Sequence, residues 1–217
     1  MKKLLLMLLV FLLAFTSTRP AAGADRRWIG DAFEDTWSEE DNWSPSGPPQ
    51  DGDTLIFGNN ASHKSNRNDL SNLRVQSIVF NGTAGGYTLR GNPILLNSDI
   101  TAAHTAGFNS VRFDVQFING GGTFNVVREG RLEIGGTVTL ANNASLIAFT
   151  LGTNLTISGA IVGEGDLTKL GVHSLLLTGT AANTYTGPTF INGGTVYLGK
   201  PSGARAISPR VTAVSGQ

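Results

Sequence analysis

The sequence predicts an all-β chain, and within that class a β-solenoid headed by an atypical N-terminal capping segment. Three observations carry this. Short β-type runs recur at 54–57, 75–80, 87–89, 94–96, 111–118, 123–127, 132–134, 138–140, 145–151, 155–157, 174–177, 189–191 and 195–198, most of them alternating apolar with polar residues and so placing one row of side chains inward. Asn-Gly, Gly-Gly and Asn-Asn clusters separate the runs, and Gly accounts for 28 of 217 residues, nearly twice the usual share of about 7%. Beyond residue 24 no apolar pattern of helical spacing lasts more than two turns.

Many short strands suit either an antiparallel sandwich or a parallel solenoid. The phrase Gly-Thr-apolar favours the solenoid, because it returns at Gly122-Thr123-Phe124, Gly136-Thr137-Val138 and Gly194-Thr195-Val196, and in looser form at Gly152-Thr153-Asn154-Leu155. Recurring phrases imply stacked equivalent turns.

The start of the chain reads as a secretory signal peptide, residues 1–24. Lys2 and Lys3 precede an apolar run from Leu4 to Phe15, polar residues and Pro20 break it, and Ala22-Gly23-Ala24 offers the small residues that a signal peptidase accepts. Twelve apolar residues fall well short of the roughly 20 needed to span a bilayer. Cleavage between Ala24 and Asp25 removes Lys2, Lys3 and Arg19, leaving 13 basic against 16 acidic side chains, a net charge of −3. Such a chain, exported to the cell exterior or cell surface, has no basic tract for nucleic acid or anionic membrane. The absence of Cys excludes disulfides, thiolate chemistry and Cys-based zinc sites, so packing alone holds the fold.

Residues 25–57 differ in kind from the solenoid region at 58–217. They hold Trp28, Trp37 and Trp43, the acidic residues Asp31, Glu34, Asp35, Glu39, Glu40 and Asp41, and a Pro-rich turn at 45–49. A stack of turns needs a terminal cap, and large rings in polar surroundings suit one. The same three indoles could instead form a platform on which sugars stack.

Between residues 163 and 198 the ordered pieces Leu167-Thr168-Lys169, Asn183-Thr184-Tyr185-Thr186-Gly187 and Gly194-Thr195-Val196 stand at separations that resemble the autotransporter-associated β-strand repeat. Val172-His173 and the loop 180–182 depart from that pattern, both in turns. The resemblance covers about a fifth of residues 25–217. It implies a right-handed parallel β-helix in the passenger of an exported bacterial protein, with no catalytic residues and no cofactor. On this reading Leu167, Leu175, Leu177, Phe190, Val196 and Leu198 point inward, and Gly165, Gly171, Gly179, Gly187 and Gly193 turn the corners.

Candidate chemistry is sparse. His63, His104 and His173 lack metal-ligand spacing, no nucleophile motif accompanies them, and Glu164 with Asp166 forms a carboxylate pair only within a turn. Asp51 and Asp53 present oxygen atoms suited to calcium, without the later acidic ligand of a calcium loop. The reading is a non-catalytic structural or adhesive passenger segment, with a carbohydrate-binding module or a polysaccharide-degrading β-helix enzyme as the alternative. Its expected partners are a surface ligand, polysaccharide among the candidates, and a second copy joined through an open last turn where strand-like Arg210 to Val214 follows the repeat.

Overall fold

A computed structural model describes residues 23–213; the signal-peptide core and Val214 lie outside them. Strand β1 (Asp25–Trp28) opens the fold and β2 (Trp43–Ser44) lies antiparallel beside it. Regular turns follow. The first holds β3 (Thr54–Phe57), β4 (Ser65–Asn68) and β5 (Arg74–Val75), the second β6 (Ser77–Phe80), β7 (Thr88–Gly91) and β8 (Ile94–Leu96). The third holds β9 (Asp99–Ala102), β10 (Phe108–Val111) and β11 (Val115–Phe117), the fourth β12 (Gly121–Val126), β13 (Arg131–Ile134) and β14 (Val138–Leu140). The fifth holds β15 (Ser145–Thr150), β16 (Leu155–Ile157) and β17 (Ile161–Gly163). Two-stranded turns β18 (Leu167–Leu170) with β19 (Ser174–Leu177), and β20 (Thr189–Ile191) with β21 (Thr195–Leu198), lead to the last strand, β22 (Val211–Ala213).

Like strands of successive turns pair in parallel and build three sheets: a ten-stranded sheet A that begins β2-β1-β3 and ends β20-β22, a seven-stranded sheet B from β4 to β21, and a five-stranded sheet C from β5 to β17. The protein is therefore a parallel β-solenoid of about seven turns, with 3% helix. One inward row runs Leu55, Ile78, Ile100, Phe124, Ala148, Lys169, Ile191, at spacings of 23, 22, 24, 24, 21 and 22 residues. The alternation of strand residues puts this row and its companions in a single dry core, in which Leu55, Ile78, Ile100 and Phe124 have no exposed surface.

The two ends differ. At the N-terminal end β2 covers the edge of sheet A, Thr36 bridges Arg67 on the edge of sheet B, and Gly52 donates to the Arg74 carbonyl at the edge of sheet C. At the other end Val196 and Leu198 continue the core positions of Leu175 and Leu177. Leu175 and Leu177 are fully buried, whereas Leu198 is 54% exposed, because no later strand among the described residues pairs over β21.

Leu167, Leu175 and Leu177 point inward as expected. Phe190 does not: it pairs with Thr168 on the outer face, and its neighbours Thr189 and Ile191 take the inward positions. The runs 75–80 and 111–118, read as single strands, each cross a corner, at Gln76 and at 112–114. Replacing Leu177 by Asp should abolish cooperative unfolding, since an unpaired charge in this core costs several kcal/mol. A thermal melt as sharp and as high as that of the parent would contradict the placement of this side chain.

Candidate functional site

The three tryptophans meet at the N-terminal end of the core. Trp28 and Trp43 pack edge to face with centroids 5.1 Å apart, Trp37 and Trp43 do so at 5.8 Å, and all three surround Phe57. Each indole N–H is used internally: Trp28 donates to the His63 carbonyl, Trp37 to Asn66 Oδ1 and Trp43 to the Trp37 carbonyl. At 0 to 1% exposure they present no ring face on which a sugar could stack.

Asp53 is equally committed. Its carboxylate accepts from the Ala24 and Gln50 backbone N–H groups and from Arg26 Nε at 3.2 Å, while Asp51 Oδ1 accepts from the Arg74 N–H. Asp53 thus ties Ala24, Arg26 and Gln50 to the start of β3, and Asp51 ties the same loop to β5, so these oxygens have structural partners within the chain. No group of three His, Asp or Glu side chains suited to a metal occurs among the described residues. His63 lies 3.1 Å from Asp35, and His173 is exposed in a corner far along the chain from it. Glu164 and Asp166 stay in the turn before β18.

His104 occupies an unforeseen position, 1% exposed in the corner between β9 and β10. Its ring fills the space over Gly130, where any Cβ would fall inside the imidazole. Asn109 Nδ2 lies 3.2 Å from both ring nitrogens, and Asn109 Oδ1 is fixed by accepting from the Tyr87 N–H at 2.9 Å. The amide therefore turns its donor face to the ring, which suits a neutral imidazole. Burial pushes the His104 pKa below its ordinary value, against a weaker upward pull from the Gly107 backbone.

An unfolded chain takes up this proton near pH 6.5 and the folded chain only at lower pH, so acidification below about 6.5 costs stability. Replacing His104 by Gln should shrink the loss of unfolding free energy between pH 7 and pH 5. An unchanged loss would place the acid sensitivity elsewhere.

Lys169 is fully buried in the inward row, opposite small Ala148 of the preceding turn. Its ammonium donates to the carbonyls of Leu170 at 2.6 Å, Gly171 at 2.9 Å and Gly193 at 3.0 Å. Gly194, at φ +65°, completes this nest, and a Cβ there would come within 2.8 Å of Nζ. Burial pushes the Lys169 pKa down to about 8. With its three donors used on backbone, the group pins a corner to the next turn and presents nothing to a ligand.

An open recess, a groove of about 540 Å³, lies on the outside of sheet C and is within the usual range for ligand sites of about 300–1,000 Å³. Its floor is the outward row Leu95, Gln116 and Thr139, aligned in register on β8, β11 and β14. Its wall is the corner between sheets B and C, carrying Asn72, Asn92, Pro93 and Asp114. In the first turn that corner is a longer loop, and buried Asn68 braces it by accepting from the Leu70 N–H and donating to the Asn92 carbonyl. Asn92 Nδ2 returns a bond to the Leu70 carbonyl, and Asn72 holds a left-handed φ of 56°. Sequence reading missed this site, because its polar residues are ordinary turn and strand residues whose convergence depends on the register of three turns.

No protein-family profile matches the chain, and no solved structure matches it. Among characterised proteins it is similar to the adhesin BmaC autotransporter of Brucella suis biovar 1 (strain 1330), at 28% identity over 212 residues. The alignment takes in 94% of this chain and 5% of that much longer protein. No helix among the described residues is long and apolar enough to cross a membrane. The β-solenoid and this distant similarity together support an autotransporter passenger-like protein.

Proposed function

We propose that the chain is an exported, non-catalytic, adhesive passenger segment whose β-solenoid displays a binding surface outside the cell, with residues 25–57 as its cap. The observation that carries this reading is the similarity to an adhesin along 94% of the chain, on a fold of stacked parallel turns. Solenoids hold extended surfaces rigidly, each turn supported by its neighbours. The single carboxylate lining the groove, Asp114, suits binding, since hydrolysis of glycosides ordinarily employs two.

Beads coated with residues 25–217 should attach to epithelial cell monolayers more than albumin-coated beads do. Equal attachment would overturn the adhesive reading. The exported chain should begin at Asp25, and mass spectrometry finding residues 4–15 retained would overturn the signal-peptide assignment.

A further inference from the structure

We propose that the groove on sheet C is a binding site for a neutral oligosaccharide laid along the solenoid axis. This rests on the adhesive reading and names its ligand class. The direction follows from the floor, where Leu95, Gln116 and Thr139 stand in register in three successive turns. Parallel strands pair about 4.8 Å apart, so the row presents side chains repeatedly along one line.

The ligand class follows from the chemistry of the lining. Most Asn side chains near the corners are committed to the fold: Asn68, Asn109 and Asn183 bond backbone, and Asn97 bonds Gln76. The side chains of Asn72, Gln116 and Thr139 have no protein hydrogen-bond partner among the described residues, so amides and a hydroxyl face the recess with their donors and acceptors free. Asp114 spends Oδ1 on the Thr137 N–H at 2.7 Å and keeps its other oxygen toward solvent. Amide, hydroxyl and carboxylate groups beside the small apolar faces of Pro93 and Leu95 match a sugar ring, which has hydroxyls on its rim and C–H groups on its faces.

Other ligand classes fit less well. The only charged group in the lining is an anion, which disfavours uronates and sulfated glycans. Arg74, next in the outer row beside Leu95, lies 4.0 Å from Asp51 outside the recess. A peptide strand would need an unpaired sheet edge, whereas β8 and β11 are paired on both sides.

The test is saturation-transfer NMR and calorimetry on residues 25–217 with maltotetraose, cellotetraose, mannotetraose and laminaritetraose, and with tetragalacturonate and a heparin tetrasaccharide as anionic controls. At least one neutral tetrasaccharide should bind, with affinity falling tenfold or more in the Gln116→Ala/Thr139→Ala double variant at an unchanged melting temperature. Asn72→Gly, which keeps the left-handed turn, should weaken binding independently and serves if the double variant loses stability. Absence of binding by every neutral probe, undiminished binding in both variants, or stronger binding of either anionic probe would overturn the proposal. Attachment of beads coated with the parent protein is measured in parallel: attachment without neutral glycan binding overturns the groove alone, whereas attachment no greater than that of albumin-coated beads overturns the adhesive reading itself.

Discussion

Replacing Lys169 by Met should lower stability by about 2 kcal/mol or more, because the carbonyls of Gly171 and Gly193 lose their side-chain donor, while that of Leu170 keeps Thr150 Oγ1 at 3.4 Å, and each unsatisfied buried acceptor costs about 1–3 kcal/mol. For a chain of this length that is a fall in melting temperature of roughly 4–8 °C. The pH dependence separates this cause from simple loss of packing. Between pH 8 and pH 10 the unfolded chain keeps the lysine proton while the folded chain, with its pKa near 8, releases it, so parent stability rises over that window. Above about pH 10 the sign reverses. Burial pushes the Tyr87 pKa up to about 12 and raises that of Tyr185, so only the unfolded chain loses those protons. Chemical denaturation at pH 8, 9 and 10 should show a rise in the parent and a flatter line in Lys169→Met. A variant as stable as the parent, or one that keeps the full slope, would contradict the role given to this ammonium.

The polypeptide 25–217, purified by itself, should associate reversibly into pairs through its C-terminal turn. Leu198 at 54% exposure and Val211 at 47% leave core-type side chains beside strand edges that are unpaired among the described residues, the arrangement that templates addition of another strand. The opposite end is closed by β2, Thr36 and the Gly52–Asp53 segment, so head-to-tail growth is blocked. Association must then join like ends around a two-fold axis and stop at two copies. Leu198→Lys with Val211→Pro should return the protein to a monomer, because lysine charges the open end and proline withdraws a backbone donor. Sedimentation showing a monomer at every concentration would mean that this end is covered in solution, and filaments would mean that the N-terminal end is open.

The strands that were legible in the sequence are those whose inward residues are aliphatic or aromatic, such as β3, β15 and β19. Strand β4, Ser-Asn-Arg-Asn, escaped notice because its buried residues are polar: Asn66 accepts from Trp37 through Oδ1 and leaves its buried Nδ2 without a partner, and Asn68 is bonded by neighbouring backbone. Apolar runs also misled at 75–80 and 111–118, where a corner interrupts the strand without a Gly or Pro to mark it. The stacking was visible through the Gly-Thr phrases, but turns of 21 to 24 residues kept it from appearing as a strict period. The site was the least legible part. Burial of the indoles removes them as a sugar platform, and the groove depends on register between turns that no local pattern encodes.

The pairing that joins one turn to the next has a mechanical side. Hydrogen bonds between parallel turns point along the axis, so traction along that axis loads the outermost turn before the others. Among the described residues strand β22 is held on its β20 side alone, whereas β1 is clasped between β2 and β3 and anchored by three interlocked indoles. Under tension the chain should peel from its C-terminal end, bond by bond, while the turns around the sheet C groove keep their shape.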